Sequence, residues 1–383
     1  MYKHKVLLLN ASNMAAYPVY PYTFIQVPAV ARQAGIQVVC KDLLGIPQED
    51  WGTAIQALIE LHGPEMILIT LRNTDSFVLK DYESDKAKQT DGNGYFPIES
   101  TQALITCLRA VTHLKIAIGG FGFSLLAYEL MHYFRPDVGM FGGAEAFFSN
   151  FEAIRDGHYA GIANLLYFQA DQLIQNPYTF EAPLAGPEYT SQVIEEMMAF
   201  YNAFPSPGFD GAPVEVIRGC SHVCVFCAVP HVKGRQVQYR HLAAVMADIQ
   251  ILVDQGITRI YMISAELNPD GNEFMLQLAD RIRAFNAAQA EGQRITWYGA
   301  NYLLTLEPEA YERLYASGFT GGLFDITALD DRNARAMHTP YRNQTLLKAL
   351  KTYAQYRKIQ PAFMTERKKN GLQGRRQRRR AIR

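Results

Sequence analysis

The sequence predicts two successive α/β units, the first a doubly wound parallel sheet, and three features carry that reading. Short apolar runs alternate with helix-length stretches through the first 155 residues. Between residues 156 and 212 the alternation stops, and Pro177, Pro183, Pro187, Pro205 and Pro207 punctuate the chain. A second alternation of strand and helix begins at residue 213. Short apolar strands separated by helices are the pattern of parallel sheets covered on both faces.

In the first unit, residues 6–9, 37–40, 66–70, 115–118 and 138–141 read as five strands. Helices fit residues 23–34, 51–62, 100–111, 125–133 and 145–154. Sheets of this kind bind ligands beyond the carboxyl ends of their strands. The chain places Asn10 and Ser12 after the first strand, and Arg72, Asn73 and Asp75 after the third. Gly119, Gly120 and Ser124 follow the fourth strand; Gly142, Gly143 and Glu145 follow the fifth. Glycines at such turns let a ligand approach the backbone and open helix N-termini toward anionic groups. A tight strand-to-helix turn would account equally well for any single glycine pair. The polar insert 76–97 is long for a loop and reads as a lid or as an idle insertion. Residues 156–212 read as an extended linker with one helix over 191–201.

In the second unit, strands fit residues 214–217, 259–264, 296–299 and 322–327. Helices fit 242–255, 272–285, 308–317 and 345–357, with Gly256 and Gly318 ending two of them. Between the first strand and the first helix, Cys220, Cys224 and Cys227 fall within eight residues, three of the five cysteines of the chain. Thiolates so spaced converge on one soft metal centre. A four-iron cluster held by three thiolates keeps one iron open to a small molecule. A structural zinc ion would need a fourth ligand, for which His222 or His231 is at hand. An odd number of closely spaced cysteines does not pair into disulfides. Cys40 and Cys107 fall on a strand and a helix of the first unit and read as buried thiols.

Composition bounds the function classes. Hydrophobic residues make up 49% and charged residues 19%, which supports a folded core rather than a disordered chain. The apolar run at residues 6–9 is too short for a signal sequence or a membrane span, so a cytoplasmic protein with no membrane partner is expected. The net charge of zero conceals an asymmetry. Nine Lys and Arg and no acid lie in residues 367–383, leaving 28 basic residues against 37 acidic ones elsewhere. The body is mildly acidic and gives no reason to expect a nucleic-acid partner. Residues 361–383 read as a disordered basic tail.

The spacing Cys-x3-Cys-x2-Cys, with Phe226 before the last cysteine, resembles the cluster loop of radical S-adenosylmethionine (SAM) enzymes. The resemblance implies that residues 213–360 form part of a (βα)6 barrel. It further implies that Cys220, Cys224 and Cys227 hold a [4Fe-4S] cluster and that SAM binds the open iron. Ser264-Ala265-Glu266 stands where that family has a Gly-Gly-Glu-like segment meeting the SAM amino group, which leaves Glu266 or its backbone as the candidate. Tyr298 and Asn301 at the end of the third strand, and Asp325 on the fourth, fall where polar residues of the family meet SAM. Each also reads as an ordinary strand-end residue. After residue 357 the expected last strands do not follow, so the barrel reads as cut short.

The first unit, placed before such a loop, resembles the cobalamin-binding, Rossmann-like domain of class B radical SAM methyltransferases. The residues that carry this are Asn10, Ser12, Gly119, Gly120, Ser124, Gly142, Gly143 and Glu145, with the Tyr/Pro-rich entry at residues 17–22. The Asp-x-His-x-x-Gly segment that ligates cobalt in many cobalamin proteins is missing; Asp42-Leu43-Leu44-Gly45 stands in its place. Arg72-Asn73-x-Asp75 is similar to the tryptophan 2-methyltransferase subgroup, in which an arginine lies under the cobalt. The resemblance therefore implies an enzyme that moves a methyl group from SAM through methylcobalamin to a carbon of a small-molecule or peptide substrate. It implies an external electron donor as well. A zinc-stabilised ligand-binding module and a truncated, inactive remnant that still binds cofactor are the alternatives.

Overall fold

A computed structural model describes residues 2–11, 20–72, 97–180, 186–187, 189–204, 211–300, 307–323, 328 and 330–355. The chain divides into two compact units, Met1–Ser206 and Pro207–Arg383. The insert 76–97, but for its last residue, and the basic tail lie outside the described residues.

The first unit runs β1 (His4–Asn10), α1 (Thr23–Gln33), β2 (Ile36–Asp42), α2 (Trp51–His62), β3 (Met66–Thr70), α3 (Pro97–Val111) and β4 (Lys115–Gly119). It continues with α4 (Phe121–Leu125), α5 (Ala127–Phe134), β5 (Val138–Met140), α6 (Glu145–Ser149) and α7 (Phe151–Asp156). Then come β6 (Leu165–Gln169), β7 (Gln172–Gln175) and α8 (Ser191–Ala203). The sheet order is β2-β1-β3-β4-β5-β6-β7, with β1 to β5 parallel and β6 and β7 antiparallel. Residues Val6 to Leu9 of β1 and all of β3 are buried, as strands covered on both faces must be.

Two sequence expectations are corrected here. Residues 165–175, read as linker, form the β6–β7 hairpin, because Leu165 and Leu166 bury fully against the open edge of the sheet. The next helix, α8, also belongs to this unit. Its Phe200 packs edge-on against Tyr20 at 5.7 Å, and Thr190 caps it by accepting from the amide of Val193. The helix expected over 125–133 is α5, cut off at its start from the short α4 before it, and that expected over 145–154 is two short helices. The first is broken at Leu126 (φ −138°, ψ 43°) and the second at Asn150 (φ −119°, ψ 25°).

Cys40 has a packing role. Pro28 inside α1 has no amide hydrogen for the carbonyl of Phe24 one turn back, and Cys40 Sγ lies 3.9 Å from that carbonyl. Cys40 and Cys107, expected as buried thiols, are half-buried, and desolvation pushes both thiol pKa values upward.

The second unit begins with β8 (Ala212–Glu215), β9 (Ile217–Arg218), α9 (Val229–Val232), β10 (Gln238–Tyr239), α10 (Leu242–Asp254) and β11 (Arg259–Ile263). It continues with α11 (Glu273–Ala288), β12 (Thr296–Ala300), α12 (Pro308–Ala316), β13 (Phe319–Leu323), α13 (Asp331–Ala336) and α14 (Asn343–Gln355). Strands β8, β11, β12 and β13 pair in parallel in that order, each beside the next in sequence. Successive βα units add strands to one side in this way, as they do in a βα barrel. Trp297 of β12 is fully buried, with Nε1 donating to Ser317 Oγ at 2.9 Å. The single strand expected over 214–217 is split at Val216. Up to Glu215 the chain stays in the parallel sheet, whereas Ile217 and Arg218 pair antiparallel with Tyr239 and Gln238.

At the amino ends of the first sheet, His4 lies between Glu65 (2.9 Å) and Glu152 (3.1 Å), and Arg155 reaches Glu65 at 2.8 Å. The hydrogen bond to Glu152 leads in raising the His4 pKa above its ordinary value; burial opposes it and Glu65 adds to it. A raised histidine stabilises the fold fully below its unfolded pKa, and the contribution is lost as pH rises through the folded value. Thermal unfolding of His4→Gln should therefore show a larger deficit against the parent chain at about pH 6 than at about pH 9. An equal deficit at both would mean that the pair contributes no charge effect.

Candidate functional site

The second unit gathers its chemistry at the carboxyl ends of β8 and β11. Parallel pairing of Ile263 with Glu215 brings the chain after each strand to the same edge. Beyond β8 and β9 the cysteine loop begins at Gly219, whose φ of 85° is open to glycine and costly for other residues. A side chain there would also collide with the carbonyl of Gln236. The Cys220 amide donates to Gly234 O at 3.1 Å, that of Val225 to Met337 O at 3.2 Å, and that of Cys227 to Cys224 O at 3.1 Å. Cys220 is buried, Cys224 and Cys227 are half-buried, and Phe226 is 51% exposed.

Glu266, three residues past β11, is buried beside this loop. Its Oε2 lies 2.7 Å from His222 Nε2, and ligand atoms of Cys220, His222 and Glu266 all fall within 4.8 Å of one another. Among the described residues this is the set able to close on a single metal ion, and it includes one cysteine of the three. The Glu266 carboxylate raises the His222 pKa. Burial raises Glu266, and His222 pulls it back down. Burial pushes the Cys220 thiol up to about 11, so a metal at this loop must displace a proton to bind there.

A buried ion pair underlies the loop. Arg218, two residues before Cys220, donates Nε to Glu215 Oε1 at 3.0 Å and a terminal nitrogen to Oε2 at 2.9 Å. Arg240 donates to the Glu215 carbonyl at 2.9 Å and to Asp248 at 2.8 Å. These contacts hold the chain on either side of the split strand.

Tyr298 is placed in the middle of β12 and not at its end. Its ring stacks on Tyr261 at 5.0 Å, with the Arg259 guanidinium 5.6 Å away. Asn301 and Asp325 lie outside the described residues.

In the first unit the register aligns Asn10, Thr70 and Gly119 across the ends of β1, β3 and β4. Asn10 donates to Asp42 Oδ2 at 3.1 Å. Asn10 Oδ1 and Thr70 Oγ1 are buried without a hydrogen-bond partner among the described residues. The switch in strand order, where β1 and β3 diverge to either side, is where such sheets take ligands. Gly120 sits at φ 101°, ψ 169°, a conformation kept almost to glycine, and a side chain there would run into the Leu71 carbonyl. Ser124 Oγ donates to Gly120 O at 2.9 Å and accepts from the Gly142 amide at 3.0 Å, which ties the fourth and fifth strand ends together. Gly143 lies against the Glu145 carboxylate, and Arg72, largely buried, follows β3. Ser12 and Asn73 lie outside the described residues. The rim was legible from glycines and strand ends. Thr70 was missed, for a threonine ending an apolar strand carries no sign of an unpartnered hydroxyl.

Residues 214–362 match the Radical SAM superfamily, and that part of the chain is a radical SAM domain. The chain is similar to tryptophan 2-C-methyltransferase of Streptomyces laurentii, 22% identical over 312 residues, 70% of this chain and 50% of that protein. It is also similar to the tRNA-2-methylthio-N(6)-dimethylallyladenosine synthase of Stutzerimonas stutzeri, 35% identical over 98 residues, 24% of this chain and 21% of that one. The chain thus spans from about a fifth to half of these relatives. Among solved structures, the fold is like that of TsrM from Kitasatospora setae, a radical SAM methyltransferase solved with cobalamin and a [4Fe-4S] cluster. The TM-score is 0.71 at 20% identity, covering 92% of this chain and 65% of that one. It is also like that of OxsB, a cobalamin-dependent SAM radical enzyme, at TM-score 0.65 and 12% identity, covering 91% and 47% of the two chains. Both expected folds, a doubly wound sheet and a βα radical SAM unit, are therefore present.

Removing one partner of a buried ion pair costs about 3–5 kcal/mol, because the other charge remains buried. Glu215→Ala should destabilise the second unit by about 3 kcal/mol. Denaturant unfolding of the full chain measures this, and a change below about 1 kcal/mol would remove the pair from the support of the loop.

Proposed function

We propose that this chain is a cobalamin-dependent radical SAM enzyme that transfers a methyl group to a carbon of a small-molecule or peptide substrate. The observation that carries the proposal is the joining of two rims in one sequence. One is the three-cysteine loop at the carboxyl ends of a parallel βα sheet; the other is a glycine-rich rim in a doubly wound unit, with polar atoms that have no partner among the described residues. When bound, the cluster would supply an electron, and SAM with cobalamin would supply the methyl group.

The residues present fit these groups. Cys220, Cys224 and Cys227 offer three thiols on one loop, and the single-ion set takes in Cys220 alone. A four-iron cube attaches its thiolates at separate corners and so uses all three, whereas a zinc centre built on that set would use one. Glu266, with a carboxylate oxygen within 4.8 Å of the Cys220 sulfur, would meet the amino group of SAM, as the resemblance implies. Phe226, 51% exposed beside Cys227, would cover a cluster bound at the loop. In the first unit, Gly119, Gly120, Gly142 and Gly143 form the strand-end turns of the rim that a large cofactor would meet. Asn10 and Thr70 would offer it polar atoms that have no partner among the described residues, and Ser124 fixes the turn. Arg72, largely buried after β3, would bring positive charge to the rim as the resemblance implies, and a cation beside a bound cobalt would favour its reduced states. Glu145 opens α6 on the same rim. Ser12, Asn73, Asn301 and Asp325 keep the roles that the sequence resemblance gives them, and Tyr298 supports Tyr261 from mid-strand.

An external donor would supply the electron. Among the described residues no helix is long and apolar enough to cross a membrane, and a reducing cytoplasm would keep the three thiols available.

Anaerobically purified chain should carry iron and sulfide, and replacing Cys220, Cys224 and Cys227 together with Ala should remove the iron. Stoichiometric zinc in the parent chain would favour the zinc-stabilised module instead. Cobalamin bound to the chain should show a base-off visible spectrum, since Leu43 and Leu44 occupy the segment where a histidine would stand. A histidine-ligated spectrum would contradict the assignment of the lower face.

A further inference from the structure

Asp270 stands where three segments of the second unit meet. Its Oδ1 accepts from Ser221 Oγ at 3.0 Å, and its Oδ2 accepts from the Tyr239 hydroxyl at 3.0 Å. Ser221 lies between Cys220 and His222. Tyr239 ends β10, the strand that pairs with β9 at the entrance to the cysteine loop. Asp270 itself belongs to the connection after β11, four residues past Glu266. The Tyr239 ring rests on Phe274 of α11, centroids 4.8 Å apart, which fixes the direction of its hydroxyl. Burial, then the Asp270 carboxylate, raises the Tyr239 pKa to about 12, so the hydroxyl remains a donor through neutral pH. Hydrogen bonds to an ionised carboxylate are stronger than those between neutral groups. One side chain thus joins the cysteine loop, the strand that braces its entrance and the connection bearing Glu266.

We infer that Asp270 is a positioning residue, a clasp that holds the cysteine loop against the Glu266 connection and sets how Cys220 faces that carboxylate. The inference rests on the reading of the three cysteines as cluster ligands. The clasp adds to the Cys220–Gly234 and His222–Glu266 contacts, which together keep Cys220 at 7% exposure in a loop with exposed Val223, Val225 and Phe226. Without Asp270 the loop keeps its backbone ties at Gly234 and Met337 and the His222–Glu266 contact at 2.7 Å, but loses the side-chain tie between Ser221 and the Glu266 connection.

Two measurements on the full chain test it. In the apo chain, the rate at which iodoacetamide alkylates Cys220 is compared with the rates at Cys40 and Cys107. These two lie in the other unit and report general opening. Asp270→Ala should speed alkylation of Cys220 by about three- to tenfold, the loss of one or two modest hydrogen bonds, with Cys40 and Cys107 unchanged. Ser221→Ala and Tyr239→Phe should each reproduce part of the effect and add nothing in the Asp270→Ala background, the mark of a shared interaction. Asp270→Asn, which keeps one acceptor oxygen, should fall between. In the reconstituted holoprotein, the rate of iron loss to a chelator should follow the same order. Unchanged Cys220 alkylation in Asp270→Ala, or an equal rise at all three cysteines, would overturn the clasp. A parent chain that takes up no iron would overturn the cluster reading instead, and the alkylation rates would still decide the clasp.

Discussion

Parallel pairing fixes where chemistry can sit in this chain. A parallel strand must be re-entered from the same end as its neighbour, so the carboxyl ends of parallel strands lie along one edge of their sheet. In the first unit this aligns Asn10, Thr70 and Gly119 across three strands. In the second it places the chain after Glu215 beside the chain after Ile263, which brings Cys220 and Glu266 together from 46 positions apart in sequence. Neither rim exists in any one segment; each follows from strand order.

The second unit adds a local device to that constraint. Its first strand leaves the parallel sheet after Glu215 and turns into a short antiparallel pair before the cysteines. That change of partner would leave backbone and charge unsupported, and the structure supplies both. The Val216 amide donates to Ile263 O at 3.0 Å and its carbonyl accepts from the Arg240 amide at 3.0 Å. Glu215 and Arg218 neutralise each other in the interior. The loop is therefore held from below by buried charge and from above by polar side chains of the Glu266 connection.

The alternation of strand and helix was legible because runs such as Met66–Thr70 are apolar throughout, and such runs mark strands covered on both faces. The cysteine loop was legible because spacing alone defines it. The β6–β7 hairpin was not, because Leu165 to Gln175 is short, leads into the proline-rich stretch that begins at Pro177, and gains its stability from the sheet edge it covers. The split at Val216 was hidden for a similar reason: Val214 to Ile217 reads as one apolar run, and only long-range pairing divides it. Tyr298 shows the limit for single residues. Its place near the end of an apolar run suggested the rim, whereas the strand extends to Ala300 and the ring is taken up by Tyr261. The hydrogen bonds of Asp270, between segments far apart in sequence, leave no local pattern to read.

The central claim is that the three cysteines hold a four-iron cluster with one iron open to SAM. Electron paramagnetic resonance of the dithionite-reduced full chain, recorded with and without SAM, tests it most directly. The account predicts the signal of a reduced [4Fe-4S] cluster whose g-values shift when SAM is added. A protein that gives no iron–sulfur signal after anaerobic reconstitution, or one whose signal is indifferent to SAM, would contradict it.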